Sequence, residues 1–308
     1  MLRAFFVHLS ENRFLRRFAE SSSIGRRVSG RFVAGTEIAD AVRVTQAVNR
    51  AGMSVSIDNL GENVTNPDEA RHSAQLYHEI LDAIVAHQLN GNISLKLTHM
   101  GLDVDEGMAR DLVSGLVAKA ASMNPPGFVR VDMEGSPYTQ RTLDFVHELH
   151  RRPGHGNKVG TVIQSYLKRS EKDVEDLLAE KIRIRLCKGA YKEPPSIAYE
   201  SKAEVDANYV KLMKMLLKSD TYHGLATHDE NIIRQAQAFA TREKIARDSF
   251  EFQMLHGIRR DLQQQLVNDG WRMRVYVPFG TEWYPYFMRR LGERPANVFF
   301  IARNLMRS

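Results

Sequence analysis

Along most of the chain, short stretches in which apolar and polar residues alternate give way to longer ones whose apolar residues recur every three or four positions. The first pattern marks a strand with two unlike faces, the second an amphipathic helix. Strands are predicted over 53–58, 92–98, 128–134, 160–165, 182–186, 225–228, 250–254 and 273–277. Helices are predicted over 67–88, 106–122, 139–150, 171–180, 202–217, 230–241 and 261–269, with a further helical segment after the last strand. Eight strands, each followed by a helix, predict an α/β protein closed into a (β/α)8 barrel more strongly than an open doubly wound sheet. No linker divides the chain, so the expected organisation is a helical arm over residues 1–45 and one barrel over 46–308.

The alternation also sorts side chains by face. In the second strand Ile93, Leu95 and Leu97 oppose Ser94, Lys96 and Thr98; in the third, Val129, Val131 and Met133 oppose Arg130, Asp132 and Glu134. The fifth sets Ile184 and Leu186 against Arg183 and Arg185, and the seventh sets Phe250, Phe252 and Met254 against Glu251 and Gln253. In a barrel the apolar set lies under the helices, which leaves the polar set for the axis. Barrel axes are usually filled with branched apolar side chains. Lys96, Asp132, Gln164 and Arg185 at strand ends would therefore be buried polar groups, stable only if paired or matched by a charged ligand. Two readings are open: an internal ion-pair network, or a site, since catalytic groups in this fold sit at those strand ends.

With 308 residues, 43% of them hydrophobic, the chain can bury a large core. Its single cysteine, Cys187, excludes a disulfide framework and multi-cysteine metal centres and suits a reducing compartment; its own expected role is a small buried hydrophobe. No apolar run is long enough to span a bilayer, and the first residues make a poor secretory signal, so a cytoplasmic protein is expected. The formal charge is +6, but residues 1–31 carry seven arginines against Glu11 and Glu20, and the remainder is nearly neutral. A nucleic-acid enzyme would spread its positive charge over a folded face, so no nucleic-acid partner is expected.

Several familiar motifs are missing. GHGNKVG (154–160) precedes a strand where a dinucleotide loop must follow one, and there is no GxxxxGK(S/T), HExxH or GxSxG. His147 and His150 read as a surface pair, no metal is expected, and the chemistry is assigned to an organic cofactor. Two segments stand out. RLCKGAY (185–191) runs a charged strand end into a small-residue turn that allows close approach of a ligand. YFMRRLGE (286–293) places Arg289 and Arg290 within helical reach of Glu293. Paired arginines at a barrel mouth form a bidentate receptor for a carboxylate or phosphate; the alternative is a solvated basic face with an internal salt bridge.

These two segments, together with SLKLTHMG (94–101), VDMEG (131–135), VIQSYLKRS (162–170), ATHDE (226–230), FEFQMLHGIRRDLQ (250–263) and VYVPFG (275–280), occur in an order that closely resembles the proline dehydrogenase family. Cys187 stands where that pattern has an aliphatic residue. The resemblance implies a distorted (β/α)8 barrel that uses FAD to oxidise L-proline to Δ1-pyrroline-5-carboxylate by hydride transfer from C5 to flavin N5, with electrons passed to a quinone. It implies that Lys96, Arg289 and Arg290 bind the substrate carboxylate, with Glu293 and Asp132 balancing charge. Tyr191, Tyr276 and Tyr286 would pack around the ring. Arg185 would lie by the reactive flavin nitrogen and Gln164 at the isoalloxazine edge. Lys188, Gly189, Ala190, Thr227 and His228 would hold the ribityl, pyrophosphate and adenosine parts, with a contact from Met133. Asp132 is either a proton acceptor or an orienting group.

The chain ends soon after the arginine helix, so a monofunctional enzyme is expected, with pyrroline-5-carboxylate passing to a separate dehydrogenase. The arm interleaves Phe5, Phe6, Phe14, Leu15 and Phe18 with arginines. It is read either as a peripheral contact with anionic lipid at the inner face of the membrane or as a helix packed on the barrel. Two competing functions are separable. A methylenetetrahydrofolate-type flavin reductase leaves the paired arginines unexplained, and a non-catalytic barrel docking through its arm would carry no flavin.

Overall fold

The computed structural model describes residues 30–293, with the backbone course alone over 289–293. Strands β1 (Ser54–Asn59), β2 (Gly91–Leu95), β3 (Val129–Val131), β4 (Val159–Gln164), β5 (Arg183–Cys187), β6 (His223–Ala226), β7 (Phe250–Leu255) and β8 (Met273–Phe279) pair in parallel in sequence order. β8 returns to β1 with Val55 opposite Val275 and Ile57 opposite Val277, which closes the barrel and leaves no exposed edge. The helices are α1 (Ile38–Arg50), α2 (Pro67–Ala86), α3 (Glu106–Ser122), α4 (Ser136–Arg151), α5 (Ser170–Ala179), α6 (Lys202–Lys218), α7 (Glu230–Arg242), α8 (Arg260–Asn268) and α9 (Trp283–Glu293). Helix α1 packs on β1 and β8 and runs through position 45, where the arm was expected to end. The arm residues 1–29 lie outside the described residues. No described helix is long and apolar enough to cross a membrane.

Helix starts follow local chemistry. Asn66 accepts from the Glu69 N–H ahead of Pro67, and Ser201 and Glu204 form a reciprocal capping box at α6. The apolar strand faces, such as Ile93, Leu95, Val129, Val131, Ile184 and Leu186, are fully buried against the apolar stripes of the helices in one contiguous core. Two strands depart from the pattern. β3 ends at Val131, although the Asp132 N–H still donates to the Leu95 carbonyl at 2.8 Å, and beyond it Glu134 accepts from the Thr98 N–H at 3.1 Å and the Thr98 hydroxyl at 2.7 Å. β6 is shifted to begin at His223, and Thr227 lies past its end, accepting from the Asp229 N–H that opens α7.

The axis is polar, as the alternation demanded. Near the amino ends of the strands Glu251 accepts from Arg274 Nε at 2.6 Å, from the Tyr222 hydroxyl at 2.9 Å and from Gln253 Nε2 at 2.6 Å. Gly224 makes room for that amide, because a Cβ there would sit 2.3 Å from Gln253 Nε2. A second apolar cluster joins Phe32, Val33, Leu60 and Ile258 to Trp283, Tyr286 and Phe287, which seats α9 beside the ends of β1 and β8.

Candidate active site

Asp132, one residue past β3, is the hub of the upper barrel. Its Oδ1 accepts from Arg185 Nη1 and from the Ser94 hydroxyl, each at 2.7 Å, and its Oδ2 accepts from the Tyr276 hydroxyl at 2.9 Å. Arg185 lies in the middle of β5, not at its end. It also donates through Nε to Gln253 Oε1 at 2.6 Å and through Nη2 to the Ser56 hydroxyl at 3.2 Å, and its guanidinium lies over the Tyr276 ring. A continuous path of hydrogen bonds thus runs from Arg274 and Glu251 through Gln253 and Arg185 to Asp132 and Tyr276. Such a path fixes orientation as well as charge, since each member's remaining rotamers would break a bond to its neighbour.

Lys96 follows β2, its side chain 13% exposed, with Nζ 3.7 Å from Asp58 Oδ2. Burial alone would lower its pKa, but the carboxylates of Asp58, Asp132, Glu62 and Glu134 outweigh burial and hold it above the ordinary lysine value. Asp58, 1% exposed, shifts upward: burial disfavours its charge and Asp132 adds repulsion, against the pull of Lys96. Burial also raises Glu134, and it pushes the Tyr276 phenol far up with help from Asp132 and Asp58. His99, buried and repelled by Lys96, is pushed down to about 3.

The remaining expected site residues fall in three groups. Gln164 ends β4, buried, with Nε2 donating to the Glu134 carbonyl at 2.9 Å, and Met133 is buried between Asp132 and Glu134. Lys188 is paired with Asp206 at 2.5 Å and Asp229 at 2.8 Å. Gly189 has φ +111°, and a Cβ there would lie 2.2 Å from the Tyr166 ring, so only glycine fits this turn. Ala190 is exposed, Thr227 is buried, and His228 Nε2 accepts from the Leu255 N–H. Tyr276 belongs to the Asp132 network. Tyr191 is 38% exposed on the loop after β5, and Tyr286 is buried in the α9 cluster. The side chains of Arg289, Arg290 and Glu293 lie outside the described residues. The Thr227 hydroxyl, whose own proton is left to donate, and a glycine turn that admits no side chain suit the close approach of a phosphate-bearing cofactor, while Lys188 and the Gln164 amide are already bonded within the protein.

Ser56, Asp58 and Arg274 escaped the sequence reading, which placed Ser94, Glu251 and Gln253 on the axial face without giving them a role. The signal for Asp58 was present, because Ser54, Ser56 and Asp58 alternate with Val55 and Ile57 as in the other strands.

The model of the family described as proline dehydrogenase matches residues 41–303. The chain is 39% identical over 308 residues to proline dehydrogenase 1 of Bacillus subtilis (strain 168), covering 100% of both. It is 40% identical over 281 residues to a proline dehydrogenase of Deinococcus radiodurans, covering 90% of this chain and 89% of that one. Among solved structures, proline utilization A from Bdellovibrio bacteriovorus, inactivated by N-propargylglycine, superposes with a TM-score of 0.80 at 26% identity, over 87% of this chain and 32% of that one.

Proposed function

The chain belongs to the proline dehydrogenase family and oxidises proline, and from that premise we propose that L-proline, its ring nitrogen neutral, would give up a hydride from C5 to FAD when that cofactor is bound and then release the ring N–H proton to water, leaving Δ1-pyrroline-5-carboxylate. The observation that carries the reading is the pair of buried cations near the barrel mouth, Arg185 bonded to Asp132 and Lys96 set among carboxylates. A buried set of this kind suits an anionic substrate at a strand-end site.

FAD, when bound, supplies the two-electron acceptor. Lys188, Gly189, Ala190, Thr227 and His228 would hold its ribityl, phosphate and adenosine parts, Gln164 and Met133 would meet its ring system, and Arg185 would lie at the reactive edge. Lys96 would grip the proline carboxylate together with Arg289 and Arg290, with Glu293 balancing them. Tyr191, Tyr276 and Tyr286 would enclose the pyrrolidine ring and exclude water. The ring nitrogen must be neutral when the C5–H bond breaks, because its lone pair forms the new C=N bond. Neighbouring cations favour that neutral form by repelling the protonated amine. Asp132, already accepting from three donors, is suited to orienting Arg185 and Tyr276 more than to taking a proton.

The electrons would pass to a membrane quinone and the product to a separate dehydrogenase. A cytoplasmic enzyme touching the membrane through residues 1–31 fits that transfer, and equal liposome binding with and without those residues would remove this part of the reading. The central test is spectroscopic. Anaerobic addition of L-proline to the purified enzyme is expected to bleach the flavin's visible band. A protein that binds no flavin, or whose flavin is bleached by NADH and not by proline, would overturn the assignment.

A further inference from the structure

Three carboxylates whose partners can be compared surround the Lys96 ammonium, and they are not equivalent. Asp132 has both oxygens engaged by Arg185, Ser94 and Tyr276. Glu134 has both engaged by Thr98. Asp58 turns Oδ1 toward the Tyr77 hydroxyl at 3.3 Å, while its fully buried Oδ2 has no hydrogen-bond partner and faces Lys96 Nζ at 3.7 Å. That separation is too long for a hydrogen bond and short enough for strong attraction at low dielectric. The ammonium is thereby tethered without committing a proton to Asp58.

We propose that Asp58 is a positioning residue, whose buried carboxylate holds the Lys96 ammonium at the barrel mouth with its protons free for the substrate carboxylate. This rests on the reading of Lys96 as a carboxylate ligand. The Tyr77 hydroxyl on α2 stands behind Asp58, 3.3 Å from Oδ1, with the Ser94 carbonyl nearer its proton at 2.8 Å. Asp132 and Tyr276 face it from just past β3 and from β8, while Glu62, Glu134 and His99 are the other titratable groups around Lys96. Neutralising Asp58 removes the first of the charges that keep the buried amine protonated. The grip on an anion should then weaken and fail at a lower pH.

Calorimetric titration of the flavin-loaded enzyme with cyclopentanecarboxylate tests this, since that probe has the ring and carboxylate of proline but no amine to oxidise. Asp58→Asn is expected to raise its Kd roughly tenfold and to move the alkaline loss of binding down by about one pH unit. With proline, KM should rise by more than kcat falls. Lys96→Met should weaken binding and abolish that alkaline limb, and adding Asp58→Asn to it should change nothing further. If Lys96→Met weakens binding while Asp58→Asn leaves both Kd and limb in place, even with a lowered melting temperature, the positioning role is wrong and the Lys96 reading stands. If Lys96→Met binds the probe as the unmutated enzyme does, the Lys96 reading itself fails. Should Asp58→Asn not fold, the unmutated enzyme still decides. The limb missing from Lys96→Met must then lie above the ordinary lysine value of 10.5, and a limb below it overturns the proposal.

Discussion

Asp132 and Arg185 show what a buried ion pair does at the scale of single side chains. Arg185 is 7% exposed and Asp132 14%, so neither charge has much water to fall back on. Removing one partner strands the other, and Asp132→Ala is expected to cost about 3–5 kcal/mol, read as a lower urea midpoint. The double variant Asp132→Leu with Arg185→Met removes both charges and should recover part of that loss. A double variant as unstable as the sum of the single ones would show that the pair is not the source of the cost. The importance of these residues was legible because charges in alternating strands had nowhere to point but inward. Asp58 required the same argument applied to a strand whose polar positions are mostly serine, and there the signal is fainter.

At the scale of elements, the loop between β5 and α6 is tied down at both sides. Tyr166 donates its N–H to the Lys188 carbonyl and accepts from the Tyr199 N–H, and Lys168 reaches the Pro195 carbonyl at 2.6 Å. Across the mouth, Glu193 accepts from the Ser136 N–H at 2.7 Å and the Ser136 hydroxyl at 2.5 Å. It thus caps α4 from another part of the chain, where a carboxylate also complements the helix dipole. Glu193→Ala should cost about 1–2 kcal/mol and speed proteolytic cleavage within residues 188–200, with Glu193→Gln intermediate. Unchanged cleavage in both variants would mean the loop is held by its other contacts alone. None of this was readable in the sequence. The stretch around Glu193 has no periodicity, and a carboxylate followed by two prolines looks like any solvated turn until the partner helix is seen.

At the scale of the molecule, the order of strands and helices was legible because one face of every strand had to be buried under helices. The departures lie at strand ends: β3 ends at Val131, beyond which Glu134 bonds to Thr98, and β6 begins at His223, ahead of its apolar pattern. The polar interior also predicts an acid response. Burial, reinforced by nearby Lys96 for His99 and by Arg130 and Arg183 for His223, pushes both imidazoles down to about 3, and burial pushes His256 to about 4. The unfolded chain protonates these histidines near 6.5, so it binds more protons than the native state below that value. Their stabilisation is complete above 6.5 and is lost progressively as the pH falls toward the native values. The urea midpoint should therefore decline between pH 6.5 and about 4. His223→Asn, whose carbonyl can still accept from the Ile184 N–H as His223 Nδ1 does, should flatten part of the decline. An identical slope in the variant would exclude His223 from it.

The barrel axis filled with Glu251, Gln253, Arg185 and Arg274 in place of branched aliphatics has a consequence for heat capacity. Exposing apolar surface raises the heat capacity of the unfolded chain, while exposing polar surface lowers it. Unfolding this barrel hydrates guanidinium, amide and carboxylate groups where another barrel would hydrate valine and isoleucine. Calorimetry should accordingly give a heat-capacity increment at or below the low end of the usual range of about 12–15 cal/mol/K per residue. Its stability curve would then be flatter and would stay near its maximum over a wider span of temperature.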